Sequence, residues 1–442
     1  MKTVSFLLVC LAFLCTPVLA QAEGDVLADD FMGDDLEMDL SFTEEGADEP
    51  KSLDDNPTVE SSPFRFSLDH ALSFRLGSRN DLVNNRSGAN FEYAGPVGES
   101  LYAKLDATSS LYWSADHQAR SSQKSYTADG LIREAWLQSS SGSLTVKAGL
   151  QSIVWGDVEG SQATDTLNPV DNREFLFVDF EDVRIGQPTL SLTAYQDNVT
   201  WETFVTPAPT YNKNPDANSI YSLYNPLAGL PQVDGKESHP EVGLRGKVRL
   251  GVAEVALLVA QLTPNQPSLQ LDPAGFLLET AKPYRLTGLN FNYPVGDTLY
   301  KIDLGYKTNQ GVNDQAFGLV YRDRMDTALG VETTVDQHSL FASVTVSKLY
   351  NWDESLAVKE QQGFASLGWS KSYLHEDLAC SMGMTGGLSL KDRILNGSVE
   401  YTLNDRLKLS TALFFLSVQD QTSLFYPYRD EHRAVFKVRV QL

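Results

Sequence analysis

What this sequence has little of narrows it first. Its 442 residues hold three cysteines, and two of them, Cys10 and Cys15, fall in an apolar leader. Lys2 precedes the run Val4 to Leu14, and Pro17-Val18-Leu19-Ala20 then sets small residues where a leader is cut. This predicts a signal peptide over residues 1–20, cleaved after Ala20 or Ala22, too short and too early to be a spanning helix. Neither cysteine follows the small residue that lipid attachment uses, so no lipoprotein is expected. Cleavage leaves Cys380 alone, which excludes an internal disulfide and places the burden of stability on packing and hydrogen bonds. Beyond residue 20 no apolar run approaches the roughly twenty residues a transmembrane helix needs. Helical periodicity is absent throughout.

The means of catalysis are also scarce. Six histidines, His70, His117, His239, His338, His375 and His432, are scattered without zinc-ligand spacing, and Cys380 has no partner. No Gly-x-Ser-x-Gly elbow is present. An enzyme is not expected, and neither is a metal or another cofactor. Basic residues are outnumbered, 35 against 58 acids, for a formal charge of −23. Much of that excess lies between Gln21 and Glu60, where fifteen acids face Lys51 alone. Composition reads residues 21–62 as a disordered periplasmic tail, with a plug for the lumen as the second reading. Nucleic acid is excluded as a partner of so acidic a chain.

What the sequence does have is alternation. Phe64, Phe66, Leu68, Leu72, Phe74 and Leu76 alternate with Arg65, Ser67, Asp69, Ser73 and Arg75. The same period of two recurs at 101–108, 241–250, 300–307, 340–347 and 433–442, which is the signature of strands. Sandwich strands are commonly about five or six residues long, whereas many of these reach the roughly ten that cross an outer membrane when tilted. The expected fold is all-β: one antiparallel transmembrane β-barrel over residues 63–442, exported to the outer membrane of a Gram-negative bacterium. Nineteen candidate strands can be placed. A bacterial single-chain barrel takes an even number, and the counts from the two ends clash between about 283 and 337. One candidate there is false or merged, so eighteen strands are expected, with sixteen the next choice. The last strand, with Phe436 and terminal Leu442, fits recognition by barrel-insertion machinery. Tyr102, Tyr112, Trp113, Trp155, Tyr195, Trp201, Tyr293, Tyr350, Trp352 and Trp369 are candidates for aromatic girdles against outer-membrane lipids.

The remaining faces predict a lumen. Arg65, Arg75, Lys104, Lys147, Arg245, Lys247, Arg249, Lys301, Lys307, Arg433, Lys437 and Arg439 stand on the inward sides of the cleanest strands. Closure would bring Arg65 and Arg75 to the Arg433–Arg439 ladder, where like charges repel unless water or an anion lies between them. A lumen favouring anions is one reading; the other has these cations neutralised by Asp69, Asp106, Asp303 and the loop. That loop, residues 156–186, follows the strand at 143–155; the hinge Trp155-Gly156 leads into Asp157, Glu159, Asp165, Asp171 and Arg173 as candidate constriction residues, with Asp179, Glu181, Asp182 and Arg184 beyond. It is long enough to fold inward as a constriction. Its carboxylates offer oxygen ligands to a divalent cation, but with no regular spacing.

Gly149-Leu-Gln151, Trp155-Gly156-Asp157 and Asn168-Pro169-Val-Asp171-Asn-Arg173 together resemble the proteobacterial outer-membrane family catalogued as domain of unknown function 1302. That family has a Gly-x-Gln run into Trp-Gly-Glu; here Asp157 stands in place of the glutamate. The resemblance covers about thirty residues. It implies an outer-membrane barrel without catalytic residues, working beside envelope exporters. The functions left standing are a porin-like channel passing or exporting small anionic or amphipathic solutes, and a sheath or docking partner for a periplasmic or envelope exporter or electron-carrier complex. An outer-membrane hydrolase comes third, because its nucleophile cannot be found.

Overall fold

The structure is a computed structural model, and it describes residues 62–77, 81–116, 118, 126–174, 183–216, 219, 232–236, 239–388, 392–419 and 426–442. The expected signal peptide, the tail up to residue 61, His117, and the loop acids Asp179, Glu181 and Asp182 lie outside these residues.

Eighteen strands form one antiparallel sheet. In chain order they begin β1 (Phe64–Arg75), β2 (Leu82–Val97), β3 (Leu101–Ala115), β4 (Thr127–Ser141), β5 (Leu144–Gln151), β6 (Gln187–Gln196) and β7 (Val199–Thr206). After a short β8 (Gln232–Asp234) come β9 (Glu241–Leu250) and β10 (Ala253–Leu262), then the short β11 (Ser268–Leu271) and β12 (Leu277–Thr280). The wall resumes with β13 (Tyr284–Val295), β14 (Thr298–Asn313), β15 (Leu319–Val335), β16 (His338–Leu349) and β17 (Gln361–Tyr373). It ends with β18 (Leu378–Gly387), β19 (Asp392–Asn404), β20 (Leu407–Val418) and β21 (Arg433–Gln441). Each strand of the wall pairs with its neighbours, and β1 pairs with β21 from Ser67↔Gln441 to Arg75↔Arg433. The sheet is therefore a closed barrel, which leaves no edge and satisfies the backbone within the wall. The short strands β8, β11 and β12 form a separate small sheet. The disputed region resolves simply. Candidates at 314–322 and 327–335 are one strand, β15. Arg322-Asp323-Arg324 interrupts its apolar alternation, and Arg322 and Arg324 pair with Asp353 and Asp326.

The two rims differ. At one, tight turns such as Asp197-Asn198, Gly251-Val252, Gly296-Asp297 and Asp336-Gln337 join strands, with positive φ at Asp197, Gly251, Gly296, Asp336 and Gln337. Such left-handed residues match the twist of paired strands. All the long connections leave from the other rim. The two faces differ as well. Outward positions expose a belt of large apolar residues, among them Phe66, Leu68, Leu244, Leu257, Val259, Leu329, Leu340 and Val438. Inward positions bury polar and charged groups, including Asp69, Gln151, Glu241, Arg245, Asn290, Asp303, Lys307, Asp326 and Arg433. This inverts a soluble protein, and it suits a wall between hydrocarbon and a polar interior. Trp113, Trp201, Tyr293 and Tyr350 are exposed as girdle residues would be. Trp155 and Tyr112 are not, being buried inside the wall, and Tyr102 stacks on Trp136, which shares its face of the sheet. Sequence period gives a face but not the point where a strand leaves the wall, which is why Trp155 misleads.

Candidate functional site

The described part of the connection from β5 to β6, residues 152–174 and 183–186, does not stand above the rim. It dips into the barrel and packs on the inward faces of β7, β9, β10, β13, β14 and β15. Trp155, 1% exposed, lies edge-on to Phe204 of β7 with ring centroids 5.2 Å apart. Around them Leu167, Leu258, Leu262, Tyr284 and Leu286 close an apolar cluster inside the barrel. The wall makes room with glycines. A Cβ on Gly305 would lie 2.0 Å from the Ala163 carbonyl oxygen, and one on Gly243 would lie 2.6 Å from the Trp155 ring. Gly288 pairs with Gly305 across β13 and β14, so the loop rests in a shallow trough.

Polar anchors fix it there. The backbone N–H groups of Asp157 and Val158 both donate to Asp303 Oδ2, each at 2.9 Å, while Asn290 Nδ2 donates to Oδ1 at 2.6 Å. Lys307 Nζ donates to the Gln162 carbonyl at 2.6 Å and pairs with Asp326 at 2.9 Å. Asn265 of a neighbouring loop donates to the carbonyls of Thr166 and Asn168.

The residues of the sequence motif hold either the loop or the strands it leaves and rejoins. Gly149 takes φ +135°, and a Cβ there would meet the Ala135 carbonyl oxygen at 2.3 Å. Gln151 donates to the Thr189 carbonyl and accepts from Ser191 at 2.8 Å, fastening the end of β5 to β6. Gly156 lies against Asp165, where a Cβ would come within 2.6 Å of that residue's own Cβ. The Asp157 carboxylate takes Asn292 at 3.0 Å and Arg245 at 3.4 Å. Asn168 accepts the Ile153 N–H at 2.9 Å and donates to the Ile153 carbonyl at 2.8 Å, so its amide imitates a paired strand. Arg173 grips Asp171 with Nε and Nη2, at 2.8 and 2.6 Å, and reaches Asp129 of β4 through Nη1 at 2.7 Å. Asp165 pairs with Arg184 at 2.8 Å. Burial pushes its carboxyl above the ordinary aspartate range, with Arg184 opposing the shift. Glu159 is exposed, with no hydrogen bond or ion pair among the described residues.

The basic wall residues share one face by register, and most meet carboxylates. Lys104 pairs with Glu134 at 2.8 Å, Lys247 with Glu254 at 2.8 Å, Lys301 with Glu332, and Arg65 with Glu92 at 3.5 Å. Lys147 lies over the Trp136 ring at 4.2 Å. Arg249 stands on that face across from Glu254. Arg75 and Arg433 oppose each other across the closing seam, as expected, but Glu431 bridges them at 3.0 and 2.5 Å and Asp116 holds Arg433. The negative charge between them is the Glu431 carboxylate. Arg65 lies below the seam's register and does not join the ladder. Arg439 stands opposite Asp69 and Lys437 opposite Ala71. Lys437 also lines a polar cleft between the loop's far end and the wall, with Arg86, Arg133, Tyr112 and Glu174. Sequence alternation finds the cations but not their partners, because a pair across strands is set by register.

Solved structures of similar shape include a porin. A BenF-like porin from Pseudomonas fluorescens Pf-5 aligns over 86% of this chain and 97% of its own, with a TM-score of 0.51 at 10% identity. OccK1 (OpdK) of Pseudomonas aeruginosa aligns over 86% and 98%, with a TM-score of 0.50 at 9% identity. The structure of OpdK with vanillate gives the same figures. These identities bear on fold alone. Among curated proteins no sequence matches this one. The model of the family "Protein of unknown function (DUF1302)" matches residues 63–411, which takes in the docked loop, its trough and all three motif segments. The chain belongs to that family.

Proposed function

We propose that this protein is an outer-membrane channel of porin type, in which residues 156–186 constrict the lumen and small anionic or amphipathic solutes pass beside them. The observation that carries the reading is the docked loop: a segment anchored to the inner faces of β9, β10 and β13–β15 narrows the barrel from one side. The outward apolar belt suits lipid, and porin neighbours of the same fold support a conducting barrel. Arg86, Arg133, Lys437 and Arg439 put four cations along the wall opposite the trough, Arg86 beside Asp69 and Glu174 and Arg133 beside Asp106, and this basic run is the ground for anion preference. The signal peptide, cleaved on export, would place the short turns in the periplasm, with residues 21–62 as a periplasmic tail at the start of β1.

The test is electrical. Purified protein in a planar bilayer should give discrete conductance steps, and a salt gradient should give a reversal potential of the sign for anions. A cation-selective potential would remove the anion assignment. A folded barrel that produces no steps would remove the channel, leaving the sheath or docking role for an envelope complex.

A further inference from the structure

On the outward face at the short-turn rim, four polar and aromatic side chains converge: His338 at the start of β16, and Trp369, Lys371 and Tyr373 at the end of β17. Their direction follows from register, since Trp369 pairs with Leu340, which is exposed in the apolar belt. Trp369 Nε1 donates to His338 Nδ1 at 2.8 Å. The other ring nitrogen, Nε2, lies 2.9 Å from Lys371 Nζ. With Nδ1 accepting from the indole, a neutral imidazole carries its proton on Nε2, pointing at an ammonium that has only donors to offer. A protonated ring adds a further donor and makes the mismatch worse. Lys371 makes no ion pair among the described residues, and its other contacts are the Asp336 carbonyl at 3.1 Å and the Tyr373 ring at 5.6 Å. Two donors stand together with no acceptor between them.

We infer that His338 and Lys371 form a site for the phosphate of a phospholipid headgroup. One phosphate oxygen between Nε2–H and Nζ would accept from both, and Trp369 and Tyr373 would flank the glycerol region as interfacial aromatics do. The site lies at the rim of the short turns, which in the proposed orientation meets the inner leaflet, where an outer membrane supplies phospholipid. This rests on the proposed membrane orientation, though not on conduction. A cation at this depth also attracts anionic lipid through its charge alone.

Native mass spectrometry of the whole protein in detergent tests it, with phosphatidylglycerol, a diacylglycerol of the same chains, or inorganic phosphate added. Wild type should bind one phosphatidylglycerol about five- to tenfold more tightly than Lys371→Met or His338→Leu does. Lys371→Arg should retain the site, and diacylglycerol should show no difference among variants. Equal phosphatidylglycerol binding by wild type and both apolar variants would overturn the site, as would equal preference for diacylglycerol. Competition by inorganic phosphate without lipid dependence would reduce it to a general anion site and overturn the headgroup assignment. Conductance and heat-modifiable gel mobility should be unchanged in all variants, which separates failure of this site from failure of the channel.

Discussion

Asp303 concentrates the docking of the loop in one carboxylate, so its removal gives the sharpest test. In Asp303→Ala the backbone N–H groups of Asp157 and Val158 lose their acceptor, while Asn290 keeps Thr164 at 2.9 Å. Hydrogen bonds to a charged partner contribute about 1.5–3 kcal/mol each, so two of them come to about 3–6 kcal/mol. At about 1.4 kcal/mol per factor of ten, the docked state loses roughly two to four orders of magnitude against the undocked one. Lys307, Tyr284 and Asn265 still hold the segment from Gln162 to Asn168, so the part that should loosen is 156–161, where the Asp157 carboxylate keeps Asn292 and Arg245. The expected result is a larger, noisier single-channel conductance. Removing Asp303 also removes a lumen charge, and Gly305→Val controls for that. Its side chain drives into the Ala163 carbonyl and displaces the loop without touching charge. If both variants fold as barrels yet conduct as wild type does, the loop is not the constriction and the reasoning fails.

Other consequences follow from the same geometry. Trp155→Ala empties the apolar cluster and should cost about 3–5 kcal/mol in stability, read as a lower unfolding midpoint in denaturant; an unchanged midpoint would place Trp155 elsewhere. Asn168→Ala removes both bonds to Ile153 and should cost about 1–3 kcal/mol locally, visible as faster amide exchange at Ile153 while β14 stays protected. Asp165 has a folded pKa raised by burial, so its ionisation costs stability above that value and the cost vanishes as pH falls through it toward the unfolded aspartate range. Asp165→Asn should therefore not lower the melting temperature at neutral pH, despite the visible bridge to Arg184, and should match wild type in acid. A large loss at neutral pH would show that the bridge dominates. Deleting residues 23–60 should raise conductance if the acidic tail plugs the lumen; an unchanged conductance and selectivity would make it a plain periplasmic extension.

The division between what was legible and what was not has a physical basis. The sequence alone determined the fold class, because a wall between lipid and a polar interior forces apolar and polar residues to alternate with period two. Strands such as Leu340–Ser347 declare themselves in that way. It also determined the number of strands, once evenness was imposed, although β15 is broken in the pattern by Arg322-Asp323-Arg324. It marked the cations as one face, but it carried the strand on to Trp155, whereas β5 ends at Gln151 and the loop leaves the wall there. Tertiary structure alone decided what those residues meet. Gly243, Gly288 and Gly305 carry no mark of their role in sequence, yet together they form the trough for a loop that is more than a hundred residues distant from Gly288 and Gly305. The ladder of cations at the closing seam is read by its charge in sequence, whereas register and Glu431 neutralise its upper end. Period fixes the direction of a side chain relative to its own strand. Only closure of the barrel, which sets β1 against β21 and places the β5–β6 connection inside, fixes its partner.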